Sequence, residues 1–187
     1  MSNDLFKGEL VRLTSEDPQV LAGAFAHWNQ NTEYFRLLDS DPAHLWSAKK
    51  IKEWKEKEVD APIQNILEFG IRTLADGRLI GFMGFDGMNW TDRDTYVAIG
   101  IGEPDFWSKG YGTDAMRIML RYGFTELNLH RISLTVFEVN PRGIRSYEKC
   151  GFKHEGCIRE FLLRDGKRSD MLLMGILRSE WELLQRK

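Results

Sequence analysis

The residues with the clearest chemical potential fall in two short runs. The first is Trp107-Ser108-Lys109-Gly110-Tyr111-Gly112-Thr113-Asp114-Ala115. Two glycines let the backbone come close to a ligand where a helical apolar period begins. Amide N–H groups at a helix start lack intrahelical partners, and the helix dipole favours anions there. Such a place holds a diphosphate well, and Lys109 adds a positive charge at its mouth. Taken alone, Gly110-x-Gly112-x-x-Ala115 also fits a dinucleotide fingerprint or a turn that holds no ligand. In the fingerprint the glycine turn follows its strand almost directly, whereas Pro104 to Lys109 intervene here.

The second run is Asn140-Pro141-Arg142-Gly143-Ile144-Arg145-Ser146-Tyr147-Glu148-Lys149-Cys150-Gly151-Phe152. Asn140 is suited to cap the helix it precedes, and Gly151 to end it in a left-handed conformation. Ile144, Tyr147 and Glu148 then share a face, at spacings of three and four. A phenol with Arg145 and Lys149 nearby could donate a proton; the plainer alternative is a packed tyrosine with its hydroxyl at the surface.

Other reactive side chains are scattered. Cys150 and Cys157 fit no common zinc spacing, and His27, His44, His130 and His154 do not cluster, so no metal is expected. A thiolate at Cys150, beside Gly151 at a helix end, would be disfavoured by the dipole. Asp86, Asp92, Asp94 and Glu103 fall on or near loops between central strands and would attract a cationic amine; Trp90 could stack on it or simply pack. Glu103 ends a strand and is the candidate general base, with a solvent-facing carboxylate as the alternative.

The elements that must position these residues follow from periodicity. Glu9 to Leu13 is strand-like, Pro18 opens a helix carrying Leu21, Ala24, Phe25 and Trp28, and Ala43 to Val59 is a second amphipathic helix. Phe69, Ile71 and Thr73 precede Asp76-Gly77, and Leu79, Ile80 and Phe82 follow, which marks a hairpin. Tyr96 to Glu103 forms another strand. A helix with Ala115, Ile118, Met119 and Tyr122 comes next, then a strand in which Ile132, Leu134 and Val136 alternate with polar residues. After the short helix from Gly143 to Cys150, Asp165-Gly166 joins Ile158–Leu163 to Ser169–Ile176 in a second hairpin. This order implies an α+β fold around a mixed sheet.

The 187 residues carry no repeat or linker and make one domain, 1–187. A net charge of −2 argues against nucleic acid as a partner. No apolar stretch approaches the ~20 residues that span a bilayer. Met1 to Lys7 does not resemble a signal peptide, so a cytoplasmic location is expected.

Together, Gly110-x-Gly112-x-x-Ala115 and the later Asn140-Pro141-Arg142…Tyr147-Glu148-Lys149-Cys150-Gly151-Phe152 resemble the GCN5-related N-acetyltransferases. The likeness is greatest to the branch that includes ribosomal-protein N-terminal and spermidine acetyltransferases, and it is firm from Tyr96 to Phe152. The resemblance implies a mixed, mostly antiparallel sheet flanked by helices and acetyl-CoA as cosubstrate. Ile99, Gly100 and Ile101 would then lie along the pantetheine arm, with Trp107, Ser108, Lys109, Gly110, Tyr111, Gly112 and Thr113 around the pyrophosphate. Asn140 and Arg145 would also touch the cofactor, and Tyr147 would protonate the departing thiolate. Trp107 departs from the family, which commonly has Gln or Arg there; Lys109 and the helix amides are the expected compensation. The implied acceptor is a primary amine: a protein N-terminus, a polyamine or another small cationic amine, attacking directly in a ternary complex. Relatives often form homodimers. The rival readings are a non-catalytic CoA-binding regulatory module and a nucleotide-binding domain.

Overall fold

The computed structural model describes residues 4–59 and 66–186, with side chains given outside 56–59. Residues 1–3 of the N-terminal segment, and the side chain of Val59, lie outside the described residues. Among the described residues, seven strands form one sheet in the order β1-β2-β3-β4-β5-β7-β6. The strands are β1 Val11–Thr14, β2 Leu67–Thr73, β3 Leu79–Asn89, β4 Asp94–Ile101, β5 Arg131–Phe137, β6 Lys153–Arg164 and β7 Lys167–Leu177. Only the β4–β5 pairing is parallel. The helices are α1 Pro18–Trp28, α2 Thr32–Leu38, α3 Ala48–Val59, α4 Tyr111–Thr125, α5 Pro141–Lys149 and α6 Arg178–Gln185.

The two faces of the sheet carry different layers. On one, α4 buries Ala115, Met116, Ile118 and Met119 against Val11, Met83, Phe85, Val97 and Ile132, and α5 packs Ile144 and Tyr147 onto the same cluster. On the other, α1 buries Leu21, Ala22 and Trp28, and α2 buries Tyr34 and Phe35. Alternation along the strands makes both layers possible, since successive side chains point to opposite faces.

Local chemistry sets the helix starts. Asp17 accepts from the Gln19 N–H and Pro18 follows it; Asn31 accepts from Glu33 and Tyr34. Asp114, in the first turn of α4, takes the backbone N–H groups of Glu9, Leu10 and Val11 at 2.8–3.1 Å. That buried carboxylate ties the chain entering β1 to the start of α4, and fixes where α4 begins relative to the sheet. A carboxylate satisfied by three amides is also favoured by the helix N-terminus around it.

Several boundaries differ from expectation. The first strand runs from Val11, not Glu9. The second expected helix starts at Ala48 instead of Ala43, after an irregular segment, and α2 and α6 are additional. β4 ends at Ile101, two residues short of Glu103, because the N–H groups of Gly102 and Glu103 both turn to the Ile80 carbonyl at 2.9 and 3.4 Å. The short helix starts at Pro141, with Asn140 capping through Gly143 at 3.0 Å, and Gly151 follows in the left-handed region as anticipated. Both Asp-Gly hairpins form, β2–β3 and β6–β7.

Candidate active site

The central strands part company within the sheet. β4 pairs with β5 only through Asp94–Arg131, Thr95–Ile132 and Tyr96–Ser133. Beyond Tyr96 the two strands diverge, and from Val97 onward β4 is paired on its β3 side alone. The gap widens into a cleft of about 500 Å³, within the range of small-molecule sites. Its walls are β4 from Tyr96 to Ile101, β5 from Thr135 to Phe137, the start of α4, the cleft-facing side of α5 and the end of α2. A strand edge with free N–H and C=O groups is a template for an extended, amide-bearing ligand.

At the open end of this cleft the chain turns sharply into α4. A 3-10 turn at Pro104–Phe106 is followed by Ser108 at φ 58° and Gly110 at φ 91°, the latter being the N-cap of α4. Left-handed backbone at a non-glycine residue stores strain, and it curls the loop so that the first amides of α4 face the cleft. Gly112 lies above β4: an added Cβ would come within 3.6 Å of Ile101 and 3.9 Å of Ile99, filling the channel between helix and strand. Thr113 Oγ1 meets Ser146 Oγ at 2.8 Å and locks α4 to α5.

Most of the sequence-predicted site converges here. Ile99, Gly100 and Ile101 line the cleft with Trp107, Ser108, Gly110, Gly112 and Thr113, and Asn140, Arg145 and Tyr147 face them from α5 and its cap. Lys109 does not line it and is exposed. Tyr111 turns its ring against Phe106, centroids 5.0 Å apart. Glu103 also stands outside. Its carboxylate accepts from Trp28 Nε1 at 3.1 Å and pairs with Arg78 at 2.5 Å, with His27 Nε2 at 3.8 Å. Gly102 presses on the Trp28 indole, leaving no room for a Cβ, and so holds this segment against α1.

Trp107 explains how the loop manages without a cation at that position. Its Nε1 donates to the Ile101 carbonyl at 2.6 Å, and its ring lies under the Arg142 guanidinium, 3.9 Å from the centroid. The indole thus holds an arginine from α5 at position 107, where the loop's own side chain is uncharged. Arg142 was not among the expected ligands, although Arg142, Arg145 and Lys149 at i, i+3 and i+7 already place three cations on one helical stripe. Tyr34, Leu37 and Leu38 of α2 were missed as well, because a seven-residue helix leaves little periodic signal.

Burial holds two phenols of the walls, Tyr147 and Tyr34, and the neighbouring Cys150 thiol in their neutral forms. Burial pushes the Tyr147 phenol up to about 12, and the nearby Cys150 adds to it. One flank of Tyr147 remains open to the cleft, so the group is enclosed and still within reach of a ligand. Burial likewise pushes the Cys150 thiol up to about 11, against a lowering by Arg117, and its Sγ lies 3.6 Å from the Thr113 carbonyl oxygen. A buried protonated thiol is a poor nucleophile. The Tyr34 hydroxyl has no hydrogen-bond partner among the described residues, and its pKa is raised by burial and then by the charge of Glu68. It sits where a Cβ on Gly100 would be, which is why that strand position takes glycine.

The donor set matches an anionic, amide-rich ligand: three cations, a helix N-terminus and an unpaired strand edge. Comparison with known proteins agrees. The acetyltransferase (GNAT) domain model matches residues 9–153. Spermidine N(1)-acetyltransferase of Vibrio cholerae is 36% identical over 107 residues, which cover 57% of this chain and 61% of that protein. YdaF of Bacillus subtilis, provisionally named a ribosomal N-acetyltransferase, is 30% identical over 132 residues, 71% of this chain and 69% of that protein. The structure of spermidine N-acetyltransferase from Vibrio cholerae in complex with CoA and spermine superposes with a TM-score of 0.78 at 26% identity. That superposition covers 92% of this chain and 96% of the other.

Proposed function

This chain belongs to the GNAT acetyltransferase family, and we propose on that footing that it moves an acetyl group from acetyl-CoA to a primary amine by direct attack in a ternary complex. The observation that carries the reading is the parting of β4 from β5 after Tyr96, with the α4 N-terminus at the open end and Tyr147 in the wall. Acetyl-CoA supplies the activated thioester, whose C–S bond breaks as the amine nitrogen bonds to the carbonyl carbon. The free edge of β4 from Val97 to Ile101 would align the arm that carries it, by backbone hydrogen bonds. The α4 amides, with Arg142, Arg145 and Lys149, would take the phosphates. Tyr147, protonated across the neutral range, would give its proton to the departing thiolate.

The amine must also lose a proton. For Glu103 to take it, the carboxylate would have to leave both Arg78 and Trp28, so the proton is assigned to solvent entering the open cleft. A covalent route through Cys150 is disfavoured by its raised pKa. The acceptor class is a small cationic amine, supported by the polyamine-acting relatives; a protein N-terminus is the broader alternative within the same chemistry.

Calorimetric titration with acetyl-CoA, using NAD and ATP as controls, tests the cofactor. A panel of amines followed by thiol release tests the transfer. Binding of acetyl-CoA alone, with thiol released in the presence of an amine, is the expected result. NAD or ATP binding without acetyl-CoA would overturn the reading, and CoA binding without thiol release would mark a regulatory module. Light scattering on the same sample checks the expected self-association.

A further inference from the structure

The cleft is chemically two-ended. Arg142, Arg145 and Lys149 line it from α5, and among its described lining residues the only carboxylate is Asp86. Met83 and Phe85 point into the core under α4, whereas Phe82 meets Phe25 of α1 with centroids 4.6 Å apart. Strand alternation therefore turns Asp86 toward the layer of α1 and α2. Across the ladder Gly84 faces Ala98, which leaves the floor low next to the carboxylate, and Asp86 itself faces the exposed Tyr96. Tyr96 is also the last residue joined to β5, which puts Asp86 at the closed end of the fork, opposite the α4 N-terminus.

The charge of Asp86 is uncommitted. Around the cleft, Glu103 is bound to Arg78, Glu68 to Lys55, and Glu33 lies 3.8 Å from Arg142. Asp86 Oδ1 accepts the Gly87 N–H at 2.7 Å, and no cation among the described residues pairs with the carboxylate. The wall above the same cleft supplies a second unmet group, the buried Tyr34 hydroxyl, which has no partner among the described residues.

We propose that Asp86 anchors the ammonium group of the acceptor and sets the enzyme's preference for alkyl amines that lack a neighbouring carboxylate. The inference rests on the acetyltransferase reading and extends it to the acceptor. A cationic acceptor and an anionic cosubstrate then enter a cleft whose two ends carry the complementary charges, and each is repelled from the other's end. An amine bearing its own carboxylate meets Asp86 as a like charge.

The test uses the full chain saturated with CoA, titrated calorimetrically with spermidine and, separately, with 4-aminobutanoate. The wild type is expected to bind spermidine, at least tenfold more tightly than 4-aminobutanoate. Asp86→Asn should weaken spermidine binding about tenfold, as loss of one charge-assisted contact does. Asp86→Glu should recover most of that loss, and CoA affinity should change less than twofold in both variants. Thermal melts verify that both remain folded. Unchanged spermidine affinity in Asp86→Asn, equal binding of both probes by the wild type, or no amine binding at all would each overturn the proposal. Thiol release is read in parallel. Asp86-dependent binding without thiol release leaves the anchor standing and removes the transfer reading. Thiol release at the wild-type kcat/KM in Asp86→Asn does the reverse.

Discussion

At Tyr147 the surroundings decide what an ordinary phenol can do. With its pKa pushed up to about 12, it holds its proton throughout the neutral range and is available as a donor rather than a base. Tyr147→Phe is expected to lower kcat about 100-fold while the acetyl-CoA Kd stays within about twofold, because general acids contribute on that scale. Equal loss in both would mark a packing residue. Tyr147 and Cys150 together predict an alkaline limit. Each binds its proton more tightly folded than unfolded, so each contributes stability in full below its ordinary value of 10.0 or 9.0. That contribution is lost as pH rises through about 11 for Cys150 and about 12 for Tyr147. Urea midpoints should hold steady to about pH 9 and fall above it, and Cys150→Ser should flatten the first part of that fall. The identities of Tyr147 and the two glycines were legible because motif and spacing are local. The engagement of Glu103 was not: its partners Trp28 and Arg78 are distant in sequence and meet it only through the fold.

Elements explain why a motif that lacks its usual cation can still present one. Trp107 in the loop and Arg142 on α5 belong to different segments, and their stacking brings the guanidinium over the loop that leads into α4, in the same cleft. Arg142→Ala should weaken acetyl-CoA binding about tenfold by calorimetry, while Lys109→Ala, exposed and outside the lining, should cost less than threefold. Sequence reasoning assigned the compensation to Lys109 and the helix amides, since adjacency in the chain is all that a single motif offers. The same limit applies to α2 and α6, seven and eight residues long, too short for the 3.6 period to stand out. The Asp-Gly hairpins were legible for the opposite reason, because two residues suffice to specify such a turn. Where β4 stops was not, since its end is set by the Ile80 carbonyl on a neighbouring strand.

On the scale of the molecule, the alternating helices and strands indicated an α+β sheet but not its order. The inversion that places β7 inside β6, next to β5, depends on long-range pairing that no local pattern encodes. The outcome is a sheet whose β1–β4 and β5–β7 portions share a parallel ladder of three residue pairs. Amide hydrogens of Val97 to Ile101 should therefore exchange readily on any edge facing the fork, and slow at least tenfold when acetyl-CoA is bound. Exchange measured by mass spectrometry with and without the ligand checks this, and unchanged rates would deny the strand-like seating of the arm. A sheet joined so narrowly is completed by what it binds. A ligand at 100 times its Kd adds about 2.7 kcal/mol to the folded state, and here the gain would fall on the line where the two portions meet. Protease digestion should accordingly slow as acetyl-CoA is added. In a cell the expected consequence is one of lifetime: when the acetyl donor runs low, the idle protein should become easier to degrade, and its abundance should follow the supply of that donor.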